Sequence, residues 1–197
     1  WPAWDQGVES AQNYYIKSKQ CVPFGYSCQD PEPEPGASVI INEIHADPAS
    51  DMSGDANGDG VRHYSDDEFV ELVNISETTV DLSGYTIADG FMVRFTFPEG
   101  TLLEAGAAVV VFGGGDLSSF TAAEAFTTSG GLGLNNSGDT VTLADADGKE
   151  LDSVTYGSEG GNDRSLTRAT DGDADAAFIP HPGTNFSPGL ASDGSSF

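Results

Sequence analysis

The sequence predicts an all-β fold, an antiparallel β-sandwich with a short arm in front of it. Runs of apolar and β-branched residues recur from Ser38 onward, each bounded by Gly, Pro, Asn or Asp. Gly (25) and Pro (10) are plentiful among the 197 residues, which suits many tight turns. The hydrophobic fraction of 38% is enough for one core of a loop-rich domain and too high for a fully disordered chain. Short strands at this spacing pack as two antiparallel layers.

Residues 1–30 differ from the rest. They hold Trp1, Trp4, Tyr14, Tyr15, Phe24 and Tyr26, with Lys17 and Lys19. A short helix is expected over 8–19, with Val8, Ala11, Tyr15 and Ile16 along one face. A segment of 30 residues cannot build its own core. Trp1, Trp4, Tyr14 and Tyr15 are therefore expected to bind a partner surface: the following domain, another subunit or an upstream domain. Cys21 and Cys28 have the wrong spacing for a zinc knuckle, and no second Cys/His pair lies near enough to complete a site. In an exported chain they are expected to form one disulfide; the alternative is two thiols in a reducing cell. The opening Trp-Pro-Ala-Trp, without Met or an apolar leader, suggests a processed product whose export signal has been removed. Residues 31–37, rich in Pro and Glu, form a stiff linker of polyproline type.

The sandwich is expected over 38–190, with 191–197 as a tail. Its first strand is Val39-Ile-Ile-Asn-Glu-Ile44 and its second, alternating, Phe69-Val-Glu-Leu-Val-Asn74. Val80–Leu82 and Tyr85–Ala88 read as one strand bent through Gly84. Met92–Phe97 stops at Pro98. Ala107–Phe112 is a buried-type run ended by Gly113-Gly-Gly115. A short helix over 116–125 is expected, with Asp116 able to cap it. Thr140–Ala144 and Glu150–Tyr156 flank Asp147-Gly148, a hairpin turn signal. Beyond Arg164 the chain turns irregular and reads as a strap over the sandwich.

The formal net charge is −25, from 32 acidic and 7 basic side chains. Such a field repels phosphate backbones, so direct binding of nucleic acid or an anionic membrane is not expected. No apolar run approaches the ~20 residues of a membrane-spanning helix. The field attracts cations and suits an extracellular setting, although a well-solvated surface accounts for most of the carboxylates.

One acidic cluster has ligand spacing. Asp55, Asn57 and Asp59 offer oxygens at alternate positions, Gly60 permits a sharp turn, and Asp66 follows six residues later. That is the pattern of an EF-hand calcium loop with Asp at the last position. Val61 would give its carbonyl, with Asp67 or Glu68 as substitutes for Asp66. His63 falls where a water-bridging ligand often sits. The crossover 47–68 carries seven acidic residues against Arg62 alone, and a hard divalent cation would relieve their repulsion. The flanks are strands, so a structural Ca2+ is expected and no sensor switch. The competing reading is a solvated acidic turn held by Asx bonds.

Other groups read as structural. Asp145–Gly148 is a turn, and Asp171-Gly-Asp173-Ala-Asp175 a solvated turn before a second cation site. Glu43 and Glu71 are expected to face outward, the alternative being bonds to loop amides or to the metal. His45 reads as a satisfied structural histidine and His181 as a surface strap residue. There is no Gly-x-Ser-x-Gly elbow, no His-Glu-x-x-His helix and no phosphate-cradling loop. The chain is read as non-enzymatic.

Taken in order, these segments resemble the lamin tail domain family in its bacterial, exported form. The resemblance rests on Ile41–Ile44, Asp67–Asn74, Val80–Asp89, Phe97–Leu102, Val109–Phe112, Gly138–Asp145, Val154–Gly157, Arg164–Arg168 and Phe186–Gly189. It implies an immunoglobulin-like β-sandwich and, in bacteria, a non-catalytic module of secreted or surface proteins. The Asp-Ala-Asn-Gly-Asp-Gly insert looks like one found in many bacterial members. The resulting expectation is a secreted or cell-surface module for attachment or positioning, with an unknown protein or surface partner. A structural subunit that joins copies of itself through the arm, as in a filament, is the first alternative. A carbohydrate-binding module using Trp1, Trp4 or Tyr85 is the second.

Overall fold

The chain divides into two units, Trp1–Gly36 and Ala37–Phe197. A computed structural model describes residues 38–197. The expected helix, the disulfide, the linker and the aromatic partner residues of the arm lie outside the described residues.

Twelve strands form the second unit. They are β1 (Val39–His45), β2 (Phe69–Asn74), β3 (Val80–Asp81), β4 (Thr86–Ala88), β5 (Val93–Thr96), β6 (Leu102–Leu103), β7 (Ala108–Phe112), β8 (Glu124–Thr127), β9 (Asp139–Ala144), β10 (Glu150–Tyr156), β11 (Leu166–Arg168) and β12 (Phe178–Pro180). One sheet has the order β12-β11-β1-β2-β7-β8, the other β10-β9-β4-β5, and β3-β6 is a short ribbon. All pairings are antiparallel except β7 with β8.

The main core lies between the two larger sheets. Val39, Ile41, Ile44, Val70, Leu72, Val109 and Val111 meet Ile87, Val141, Leu143, Val154 and Tyr156 there, all buried. The six-stranded sheet is covered on its other face too. Phe69, Val110 and Phe112 pack there under Ala56, Leu117, Phe120 and Phe186. This double burial explains why β1, β2 and β7 are buried at every position and why β7 reads as an unbroken apolar run. It also means that the alternating polar residues of β1 and β2 do not face water.

Three expectations change. Residues 116–125 are not one helix. Leu117–Ser119 make a single 3-10 turn, with Asp116 accepting from the Ser118 amide at 2.9 Å. Phe120 then packs on Phe112, with ring centroids 5.2 Å apart, and the chain adds β8 along the open side of β7. Packing and a free sheet edge outweigh weak local helix preference. The bent strand at Gly84 is two strands, with β3 paired to β6 and β4 to β5 and β9. The segment beyond Arg164 contributes β11 and β12, which extend the large sheet beside β1. Three-residue strands are too short to display an alternating pattern.

Candidate functional site

The acidic crossover runs from the end of β1 to the start of β2 and folds on its own side chains. Asp55 accepts from the Gly58 amide (3.1 Å) and the Gly60 amide (3.0 Å). Asn57 Oδ1 accepts from the Asp59 amide at 3.0 Å, and Asp59 Oδ1 from the Val61 amide at 2.7 Å. These are successive Asx turns. Gly60, at φ +84°, supplies the left-handed step that lets them follow one another.

The loop is seated against Gly113–Gly115 at the end of β7. A Cβ at Gly115 would lie 2.1 Å from Asn57 Nδ2 and 2.9 Å from Asp59 Oδ2; one at Gly114 would lie 2.6 Å from Asp66 Oδ1. Asn57, Asp59 and Asp66 thus come together over the same short stretch of backbone. Asn57 Nδ2 donates to Gly114 O at 3.3 Å, and the Asp116 amide donates to Asp59 Oδ2 at 3.1 Å. The glycine run therefore has a packing reason, which the sequence alone did not disclose.

Asp67 and Glu68 have other work. Asp67 is fully buried and accepts from the Ala56, Asn57 and His63 amides at 2.9, 3.2 and 2.7 Å. It fastens both ends of the loop together. Burial raises its carboxyl pKa, and the three amide bonds oppose that rise. Glu68 accepts from the Gly133 and Leu134 amides, tying β2 to the loop before β9, and burial pushes its carboxyl up to about 8. His63 Nδ1 accepts from the Asp66 amide (3.2 Å) and lies 3.1 Å from Asp66 Oδ1. Val61 is exposed at the loop's outer turn. Among the described residues, no three His, Cys, Asp or Glu side chains converge as a metal-binding group. A cation here would need the Asn57 amide and the Val61 carbonyl as well as the carboxylates. Each amide-bonded oxygen keeps a second lone pair for such a ligand bond.

Three side chains read as peripheral, Glu43, Glu71 and His181, are buried on the second face of the large sheet together with His45, which was read as structural. Glu43, Glu71, His45 and His181 are all fully buried. Glu43 accepts from Ser165 Oγ (2.5 Å), the Ser187 amide (3.0 Å) and Ser187 Oγ (2.9 Å). Glu71 accepts from Asn42 Nδ2 (3.0 Å) and the Gly189 amide (2.6 Å). The outward reading of both glutamates fails because the C-terminal segment covers that face, and the alternative, bonds to loop amides, holds. His181 is a clamp inside the strap, with Nε2 2.9 Å from Ser187 Oγ. His45 is not satisfied: neither ring nitrogen has a partner among the described residues, and the ring packs on Phe69 and Phe186. The turn at 171 is likewise bonded inward, with Asp171 accepting from Asn42, Ser192 N and Ser192 Oγ.

Ser187, His181 and Glu43 have the residue types of a hydrolytic triad but not its polarity. The Gly183 amide donates to His181 Nδ1 at 3.3 Å, which assigns the ring proton to Nε2. Nε2 then donates to Ser187 Oγ, and that hydroxyl donates to Glu43. In this tautomer the imidazole has no lone pair free to take the serine proton, and the chain of bonds holds the strap.

Two layers of mostly antiparallel strands, loops crossing between them and a filled interior define an immunoglobulin-like β-sandwich. The sequence profile of the Lamin Tail Domain family matches residues 32–158, and the chain belongs to that family. The family is one of structural, non-enzymatic immunoglobulin-like domains. The segments Arg164–Arg168 and Phe186–Gly189 lie beyond the matched residues. A comparison with curated proteins gives no match.

Proposed function

We propose that this chain is an extracellular attachment or positioning module, of the bacterial secreted type, whose acidic crossover holds one structural Ca2+. Asp55, Asn57, Asp59 and Asp66 would give side-chain oxygens and Val61 its carbonyl. Asp67 shapes the loop from within. The observation that carries the reading is the meeting of Asn57, Asp59 and Asp66 over Gly114 and Gly115. The run of Asx turns from Asp55 to Val61 supports it, because it curls the backbone tightly and keeps Asp55, Asn57 and Asp59 on one short loop. The cation would be structural: it offsets carboxylate repulsion and stiffens the crossover, and it takes no part in a reaction.

Attachment needs a surface. Phe91, Met92 and Val93 form a contiguous exposed apolar tip at the β4–β5 hairpin, Phe91 being 87% exposed. Apolar groups grouped in this way mark contact sites more often than scattered ones do. The tip favours a protein or surface partner. It also favours the second reading, in which copies of the chain assemble.

The test is thermal unfolding of the full chain with millimolar Ca2+ and with a chelator. At 10–100 times the dissociation constant, one bound ion adds about 1.4–2.7 kcal/mol. Wild type should melt higher with Ca2+, and Asp59→Ala should lose the difference. Equal melting temperatures in both conditions, with no heat of binding by calorimetry, would reject the site.

A further inference from the structure

β1 and β2 place two glutamates opposite each other where the sheet is covered. Glu43 and Glu71 are register partners, and both are fully buried. Like charges directly opposite on a sheet repel, and the repulsion grows without water. Every hydrogen-bond donor to the pair is neutral: Ser165 Oγ, the Ser187 amide and hydroxyl, Asn42 Nδ2 and the Gly189 amide. All but Asn42 belong to the C-terminal segment.

The charged and titratable groups around the pair do not relieve it. Asp171 approaches Asn42 from the strap and adds another carboxylate. His181 reaches Glu43 through Ser187, and His45 lies on β1 beyond it. Arg164 directs its guanidinium to His181 O. Arg168 binds Ile41 O, Ala174 O, Ala176 O and Asp152. β7 brings Val110 opposite Glu71 and no ionisable group.

The hydrogen bonds offer a place for one proton. Glu43 Oε1 lies 2.5 Å from Ser165 Oγ, which lies 3.2 Å from Asn185 O. A protonated Glu43 can donate to Ser165, and Ser165 onward to Asn185. A charged Glu43 accepts from Ser165 instead. Both oxygens of Glu71 already accept N–H groups, which suits the charged form.

We propose that Glu43 and Glu71 form a proton-holding latch: the pair shares one proton while segment 165–192 is docked, and loss of that proton loosens the segment. Burial raises the titration of both carboxyls, Glu43 to about 7 with Asp171 adding to the rise, and Glu71 well above 4.5 with Glu43 and Asp171 adding to it. With docked values above free ones, docking is favoured at low pH and weakens as pH rises through the docked value. His45 and His181 act oppositely, since burial lowers both below 6.5, so docking also weakens in acid. Above pH 6.5 both histidines are neutral, docked or open, so of the groups facing the segment only the carboxyl pair remains to titrate. Glu68, also raised to about 8, bonds the Gly133 and Leu134 amides instead. The opening constant then rises up to tenfold per pH unit for one proton. Opening would leave β1 as an unpaired sheet edge.

The experiment is an NMR titration of the full chain from pH 6 to 9, following the glutamate side-chain carboxyl carbons and the Ser187 and Gly189 amides. Glu43→Gln and Glu71→Gln assign the carboxyl signals. At least one carboxyl should titrate above pH 6.5, the two amides should shift with the same midpoint, and hydrogen exchange at 166–180 should accelerate relative to β9 and β10. Glu43→Gln should abolish the amide shifts over that range. If neither the Glu43 nor the Glu71 carboxyl titrates above pH 6.5, or if the Ser187 and Gly189 amides stay still while one of them titrates, the latch is wrong. If a variant fails to fold, the wild-type Ser187 and Gly189 amide shifts decide, because they bond Glu43 and Glu71, whereas Glu68, the other carboxyl raised to about 8, bonds the Gly133 and Leu134 amides.

Discussion

Arg168 donates through Nη2 to Asp152 Oδ2 at 2.7 Å, joining β11 of one sheet to β10 of the other. The same carboxylate oxygen accepts from the Ile41 amide at 2.8 Å. Arg168 also binds Ile41 O, Ala174 O and Ala176 O, and its guanidinium lies 5.0 Å from the Phe178 ring centroid. One side chain thus ties the late strands, the first strand and the second layer together.

Removing it should be severe, because it strips the partly buried Asp152 carboxylate of its cation and leaves the Ile41, Ala174 and Ala176 carbonyls without their donor. Arg168→Ala is expected to cost about 3–5 kcal/mol in urea unfolding. Arg168→Lys should restore only part of this, since an ammonium lacks the planar fork that spans four acceptors. A loss below about 1 kcal/mol for the alanine variant would mean that the pair adds no more than a surface ion pair does.

Asn74 makes a similar crossing, from the end of β2 to the β3–β6 ribbon and its loops. Its Nδ2 donates to Thr78 O, Leu103 O and Glu104 O, and its Oδ1 accepts from the Ser76 amide and hydroxyl. The residue is fully buried. Asn74→Ala is expected to cost about 2–3 kcal/mol, for lost bonds and stranded carbonyls. Asn74→Asp should be at least as costly, because a carboxylate would face the carbonyls. Asn74-Ile75-Ser76 is also a glycosylation sequon. Mass spectrometry of protein made in a glycosylating host should find Asn74 unmodified, because the amide is enclosed and fully bonded.

These two residues show what the sequence discloses and what it hides. β1, β2, β7, β9 and β10 were legible because their runs are five to seven residues long and their turns carry Gly or Pro. The position of the acidic loop was legible from the spacing of Asp55, Asn57 and Asp59. The fates of Glu43, Glu71 and His181 were not. A strand position reads as outward when its neighbours are apolar, and only the tertiary path of residues 181–190 reverses that. β3 was legible as a strand but its pairing with β6 was not, and the two-residue β6 and the three-residue β11 and β12 are too short to carry a period. The role of Gly114 and Gly115 was hidden for the same reason as the glutamates: the side chains that need the space come from a loop some fifty residues earlier.

That role can be tested without touching a proposed ligand. Gly115 has φ +87°, and a Cβ there would meet Asn57 and Asp59. Gly115→Ala should displace the loop at those two residues. It should lower Ca2+ affinity by at least tenfold in a calorimetric titration and increase proteolysis within 55–66. A Gly106→Ala variant is the control. It has a similar positive φ and open space around the added methyl, so it should carry the backbone strain without affecting the loop. Equal effects from both variants would show that strain alone, and not the seating of the loop, limits position 115.

His45 gives the last prediction, on acid stability. The ring is fully buried between Phe69 and Phe186, and neither nitrogen has a partner among the described residues. Burial, with His181 nearby, lowers its pKa from 6.5 to about 3. The folded protein therefore holds the ring neutral where the unfolded chain would protonate it. Stability from this group is fully present above pH 6.5 and is lost as pH falls from there toward 3, at about 1.4 kcal/mol per pH unit. His45→Phe removes both the titration and the unpaired nitrogens. It should be more stable than wild type at pH 7 by about 1–2 kcal/mol, if the larger ring fits between the two phenylalanines. The gap should widen on going to pH 5. His181→Asn, tested beside it, separates the second histidine, whose pKa is also lowered by burial. Urea unfolding at pH 7, 6 and 5 checks this. A gap between wild type and His45→Phe that stays constant with pH would mean that position 45 does not titrate on unfolding.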